Sequence, residues 1–239
     1  MSGIVSGCSG PRDRRLPATN SRRTPMSSLT HYLVIDLEAT CSDDPSFPRD
    51  EMEIIEVGAV LVDAGTLRPA AELQCFVRPI RHPRLSAFCM RLTSIRQADV
   101  DAAPRFPAAA ARLRELVRGR QALFCSWGGY DKRQLERDAR RHGVALPFGG
   151  DHLNLKRAFA RRLGAERELG VGQALRRVGL SFQGTQHRAI DDARNIARLL
   201  PHALGLEPHP AGVPGSPAVT GPPAASPGPP APPAPRGAR

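Results

Sequence analysis

The chain has 239 residues, 41% of them hydrophobic, and a formal net charge of +11. That composition supports one well-packed domain and does not require two. No run of about 18 consecutive apolar residues occurs, which excludes a membrane-spanning helix.

Residues 1–28 hold five Arg and one Asp among Ser, Pro and Thr, and lack the apolar core of a secretory signal. No amphipathic run is present, so the segment reads as a disordered leader rather than a transit peptide. The expected location is cytoplasmic. Five cysteines lie at 8, 41, 75, 89 and 125 without any C-x-x-C pair. Reduced thiols are therefore expected, not a zinc site or a disulfide framework. The leader carries +4 and the tail from Glu207 carries +1, which leaves +6 on the body. A basic body suits a polyanion such as nucleic acid. Only two lysines occur, Lys132 and Lys156, so a general arginine bias also explains the charge.

In chain order, the body from Leu29 to Leu206 begins with HYLVIDL at 31–37, a short β-rich apolar run that ends on acids. IIEVGAVLVD at 54–63 is a second strand, and ELQCFVR at 72–78 is a third that stops at Pro79. Gly65 and Pro69 punctuate their link, as in a hairpin or meander. AAAARLRELV at 108–117 has helical spacing, and ALFCS at 122–126 reads as a buried strand. KRQLERDARRH at 132–142 is a helix stopped by Gly143. Residues 153–163 and 171–178 are further helical patterns. AIDDARNIARLL at 189–200 places apolar residues at 190, 193, 196, 197 and 200, one buried stripe. The order implies an α/β domain with a mixed sheet flanked by helices. The tail from Glu207 holds 12 of the 24 prolines and is expected to be disordered. Such a tail offers protein partners a polyproline ligand, although a solvated tail is the plainer reading.

Three places carry chemistry. Asp36 and Glu38 share one face of the first strand, about 6–7 Å apart along it, while Leu37 faces the core. Two such carboxylates repel unless cations neutralise them, and oxygen donors suit Mg²⁺ or Mn²⁺. Asp131 follows the strand at 122–126, where sites assemble in sheet proteins. By position alone, an N-cap is the commoner role for it. Trp127 and Tyr130 beside it suit either base stacking or the core. His187 lies at the start of the last helix and Asp192 one turn in, beside the apolar stripe. Asp191 should point to solvent or cap the helix.

In order, the chain presents D-x-E on the first strand, D after a later strand, and H-x-x-x-x-D on the last helix. This pattern resembles the DEDDh group of 3′→5′ exonucleases. The resemblance extends from about His31 to Leu204. IDLEATC at 35–41, EIIEVGAV at 53–60, FVRP at 76–79, CMRLTSI at 89–95, SWGGYDKRQL at 126–135 and HRAIDDARNIA at 187–197 look like one branch of that group. That branch trims histone messenger RNA ends and small RNAs, and has bacterial relatives.

The resemblance implies an RNase H-like three-layer α/β domain at 29–206. It also implies two Mg²⁺ or Mn²⁺ ions, roughly 3.5–4 Å apart, held by Asp36, Glu38, Asp131 and Asp192. His187 would act as general base. Glu38, Ala39, Thr40, Leu92, Thr93, Tyr130 and His187 would contact the terminal nucleotide. The partner would be RNA or single-stranded DNA with a free 3′ end, and the products 5′-monophosphate nucleotides. Two alternatives stay open. One is a non-catalytic module of the same fold that binds 3′ ends, and the other is a small-molecule phosphoesterase.

Overall fold

The computed structural model describes residues 29–206, and the expected leader and Pro-rich tail lie outside them. Five strands form one sheet in the order β3-β2-β1-β4-β5. They are β1 (His31–Ala39), β2 (Ile54–Asp63), β3 (Pro69–Phe76), β4 (Ala122–Ser126) and β5 (His152–Asn154). β1 pairs antiparallel with β2 and parallel with β4. β2 pairs antiparallel with β3, and β4 parallel with β5. The sheet is therefore mixed, as the sequence implies.

Central β1 is covered on both sides, so its side chains divide by parity. Leu33, Ile35 and Leu37 join a core with α3 (Phe106–Leu116) and α4 (Tyr130–His142). Tyr32 and Val34 join a second core on the opposite face. That face is covered by α5 (Leu155–Arg162), α6 (Val171–Arg177) and α7 (Ala189–Leu204). Asp36 and Glu38 have the parity of Val34. The chain's alternation therefore aims them at the α7 layer, and only the end of the apolar run separates them from the core.

Helix α7 carries the expected stripe. Ile190, Ala193, Ile196, Ala197 and Leu200 are all buried. Each large aliphatic side chain there stabilises the contact by about 1.5–3 kcal/mol. The helix runs beyond the expected Leu200 to Leu204, with Pro201 inside its last turn. It comes unusually close to β2. A Cβ built on Gly58 would lie 2.1 Å from the Ala189 carbonyl carbon. Gly58 is the register partner of Asp36. The missing side chain lets the start of α7 rest on the sheet beside the acids.

Several boundaries differ from the sequence reading. β1 continues through Glu38 and Ala39, and its pairing with β2 shifts register between those two residues. β3 starts at Pro69, a strand-edge position that needs no ladder donor, and stops at Phe76. Residues 152–154, which the sequence reading places largely in a helical stretch, form β5 before α5 begins. The Asn154 side chain then caps α5, accepting from the Arg157 N–H at 3.0 Å. Two short helices, α1 (Ala87–Thr93) and α2 (Gln97–Asp101), escape the sequence reading. They pack through Cys89 and Val100 against Ile55, Leu85 and Ile95. Seven- and five-residue helices show too little periodicity to stand out.

The Gly58 contact leads to a definite expectation. Gly58→Ala should lower unfolding free energy by at least about 3 kcal/mol, the upper end for overpacking a core. A urea midpoint equal to that of the parent would show that α7 does not rest on β2 in this way.

Candidate active site

The site assembles from three elements. β1 supplies Asp36 and Glu38, the first turn of α4 supplies Asp131, and the first turn of α7 supplies Asp192. One oxygen each from Asp36, Glu38 and Asp192 lies within 4.8 Å of the others. Glu38 is 9% exposed and Asp131 5%. Among the described residues, no ion pair involves any of the four acids, although Arg188 and Arg194 nearby are both paired to others.

Asp131 is not the N-cap that position alone suggests. Gly129 occupies the cap without a side-chain bond, and Asp131 is the second residue of α4. Its carboxyl lies near the Leu37 N–H and the Ser126 hydroxyl, polar groups that favour its charged form. That places it between β1 and the end of β4. It lies outside the tight group of three, and its charge bears directly on Asp36.

Burial of like charges shifts every member. Burial pushes Asp36 well above the carboxylate range, and Asp131, Asp192, Glu38 and Glu56 push it further. Glu38 is pushed up to about 8 by burial, then by Asp192 and Glu56. Asp131 rises to about 7 because burial outweighs the polar groups near it. Asp192 rises to about 6, where burial outweighs the bond from the His187 N–H. The donor set is all oxygen and the carboxylates lack cationic partners. That combination fits a hard divalent cation such as Mg²⁺ or Mn²⁺.

His187 is exposed on the turn that enters α7. Its φ of 60° is left-handed, unusual for a residue with a Cβ. Its N–H donates to Asp192 Oδ2 at 2.8 Å, which couples the histidine turn to the acid cluster. Asp191 does not simply face water. Its Oδ2 accepts from the Thr185 N–H at 2.9 Å and its Oδ1 meets Arg194 at 3.2 Å, so it ties down the loop before the histidine.

The remaining expected contacts are placed unevenly. Ala39 and Thr40 are buried at the end of β1, where Thr40 Oγ1 accepts from the Glu53 N–H at 3.0 Å. Thr93 is fully buried, and its hydroxyl donates to the Cys89 carbonyl and accepts from the Ile95 N–H. Leu92 beside it is 37% exposed, and Tyr130 is 39% exposed next to Asp131. Trp127 goes to the core reading, with its indole N–H on the Leu169 carbonyl and its ring 5.6 Å from Phe159.

Sequence reasoning assigned no role to Glu56. It is fully buried on β2, opposite Glu38. Its carboxylate accepts from Arg188, the Ala189 N–H and the Gln74 amide. The signal for it in the sequence is an acid in the interior of a strand that is apolar up to its terminal Asp63. Glu53 is likewise buried and accepts from the N–H groups of Ile80, Arg81 and His82, anchoring the chain after β3.

The family model RNase_T, described as an exonuclease, matches residues 33–200. The chain is 31% identical over 200 residues to the 3′-5′ exonuclease Snipper of Drosophila melanogaster, covering 75% of this chain and 71% of that protein. It is 31% identical over 207 residues to human ERI1 exoribonuclease 2, covering 75% of this chain and 29% of that longer protein. Among solved structures it superposes on the nuclease domain of 3′hExo, a DEDDh family member, bound to rAMP. That match has a TM-score of 0.69 and 27% identity, over 75% of this chain and 94% of the other.

The raised carboxylates make stability depend on pH and metal. The folded state binds these protons more tightly than the unfolded chain. Their contribution is therefore complete below the ordinary values of 3.8 and 4.5 and declines as pH rises through about 6, 7 and 8. With chelator present, Tm should fall between pH 6 and pH 8.5, which spans those shifted values. Mn²⁺ at about a hundredfold excess over its Kd should raise Tm by roughly 5–10 °C, and by more at pH 8 than at pH 6. A Tm in chelator that rises across that range would contradict the cluster as drawn.

Proposed function

This chain belongs to the RNase_T exonuclease family, and on that premise we propose that it shortens nucleic acid from a free 3′ end, releasing 5′-monophosphate nucleotides. The single observation that carries the proposal is the convergence of Asp36, Glu38 and Asp192 on one point, with Asp131 buried beside the same strand. We favour RNA as the substrate, because one relative is an exoribonuclease and the superposed nuclease domain holds rAMP. Single-stranded DNA is the second substrate to test.

Asp36, Glu38, Asp131 and Asp192 would hold the metal. Bound Mg²⁺ or Mn²⁺, two ions per site in this proposal, supplies charge neutralisation at the phosphate and acidity to a water. His187 takes the proton from the attacking water, a task suited to an imidazole near neutral pH. Its backbone bond to Asp192 holds the base beside the acids that bind the metal. Ala39 and Thr40 form the buried floor at the end of β1, while Leu92 and Tyr130 present exposed apolar surface to the terminal base. A site that receives a strand end and contacts its last base selects a free 3′ hydroxyl over internal phosphodiesters.

Two outcomes are expected with a 5′-labelled single-stranded RNA and Mn²⁺. Asp36→Asn and Asp192→Asn should each slow shortening by about 10³-fold or more, the rate equivalent of several kcal/mol of lost charge stabilisation. An Asp192 variant that degrades as fast as the parent would refute the assignment. His187→Ala should slow the reaction by about 10²- to 10⁴-fold with the fold intact by circular dichroism. A 3′-blocked oligonucleotide should resist the parent enzyme, and equal cleavage of blocked and unblocked oligonucleotides would point to an endonuclease.

A further inference from the structure

The proposed base sits in a costly place. A left-handed backbone is disfavoured for a residue with a Cβ, and the His187 ring is exposed. Something must hold the turn so that the imidazole faces the acids. The N-cap position of α7 is Arg188, which makes no side-chain cap. The Ala189 N–H, first of the helix, is instead taken by Glu56 Oε2 at 3.1 Å, from the neighbouring strand. The same carboxylate receives the Arg188 guanidinium in a two-point fork, Nε to Oε2 at 3.2 Å and Nη2 to Oε1 at 3.1 Å. The Gln74 amide closes the set at 2.6 Å. Glu56 thus grips the two residues that follow His187.

The register makes this grip part of the site. Glu38, Glu56 and Phe76 lie abreast on β1, β2 and β3. Arg188 lies over that row, with its guanidinium carbon 5.4 Å from the Phe76 ring centroid. Planar fork and ring contact fix its orientation, which a lysine would not reproduce. Glu56 is fully buried and needs these donors, since a lone buried charge is strongly destabilising. The carboxylate and the turn therefore depend on each other.

We propose that Glu56, acting through Arg188 and the Ala189 N–H, is a positioning residue that holds the His187 turn against the Asp36, Glu38 and Asp192 cluster. The proposal rests on the exonuclease function above. Glu56 touches neither substrate nor metal in this scheme. Its removal should act chiefly on the proton-transfer step, with only a small effect on metal through the charge it sets near Asp36 and Glu38.

The test compares Glu56→Gln with the parent on 5′-labelled RNA. The expected result is a fall in kcat of about 10- to 100-fold, the usual effect of displacing a reacting group by about 1 Å. KM and the Mn²⁺ concentration for half-maximal rate should stay within about threefold. In a His187→Ala background the same substitution should cost less than about twofold, because the base it positions is already gone. An equal loss in both backgrounds, or a loss carried by Mn²⁺ affinity, overturns the proposal. Amide exchange supplies a readout that needs no activity. The His187 and Ala189 N–H groups should exchange at least about tenfold faster in the variant, with β1 amides unchanged. If the parent shortens no oligonucleotide, the exonuclease proposal fails, and unchanged exchange is what would still overturn the role of Glu56. Arg188→Met, which removes a side chain only 26% exposed but leaves Glu56 its backbone donor, provides the same comparisons should Glu56→Gln not fold.

Discussion

The close approach of helix α7 to strand β2 is the contact on which the rest of the site depends. It exists because position 58 has no side chain, so the backbone at Ala189 can rest where a Cβ would stand. Gly58 is paired with Asp36 across the ladder. The place where the helix touches the sheet is therefore the place where the first acid projects. A wider gap would carry Asp192 and the His187 turn away from β1 together, because the His187 N–H is bonded to Asp192 in the first turn of the helix. Packing and chemistry meet at one residue that has no side chain to contribute to either.

Against that contact works the repulsion of the acids it collects. Asp36, Glu38, Asp131 and Asp192 all hold their protons more tightly than free carboxylates do, chiefly because burial penalises their charge. The apolar layers on both faces of β1 supply the opposing stability. A hard cation would convert the repulsion into attraction, so the fold stores an unfavourable arrangement that ligand binding relieves. Glu56 adds a fifth acid to the same face and is compensated within the protein, by Arg188 and two amide donors. The contrast separates roles. An acid neutralised by the chain holds structure, and acids left without an internal cation serve the ligand.

Much of the site was legible because it is carried by short segments with strong local signals. The strand at 31–37 and the helix at 189–200 follow from periodicity, and parity on β1 alone places Asp36 and Glu38 on one face. Asp131 was harder. One turn of helix offers an acid both a cap and a site, and only the burial of Asp131 beside Leu37 and Ser126 shows that it faces the sheet. Thr93 illustrates the reverse case. Its neighbour Leu92 is exposed, whereas its own hydroxyl is used inside α1 and its side chain is buried, a difference of one position that sequence spacing cannot assign in a seven-residue helix.

The sequence by itself determined the α/β class, the central strand and the long final helix, and it singled out the acids and histidine as candidates, because period and motif are local properties of the chain. It did not determine that Gly58 admits α7 or that Glu56 caps that helix from another strand. Nor did it determine that Asp131 sits beside rather than within the group of three. Those facts depend on residues more than 60 positions apart meeting in space, Gly58 with Ala189, Glu56 with Arg188 and Leu37 with Asp131. Only the register of β1 against β2, and the layer laid over it, bring such pairs within reach of van der Waals contact and hydrogen bonds.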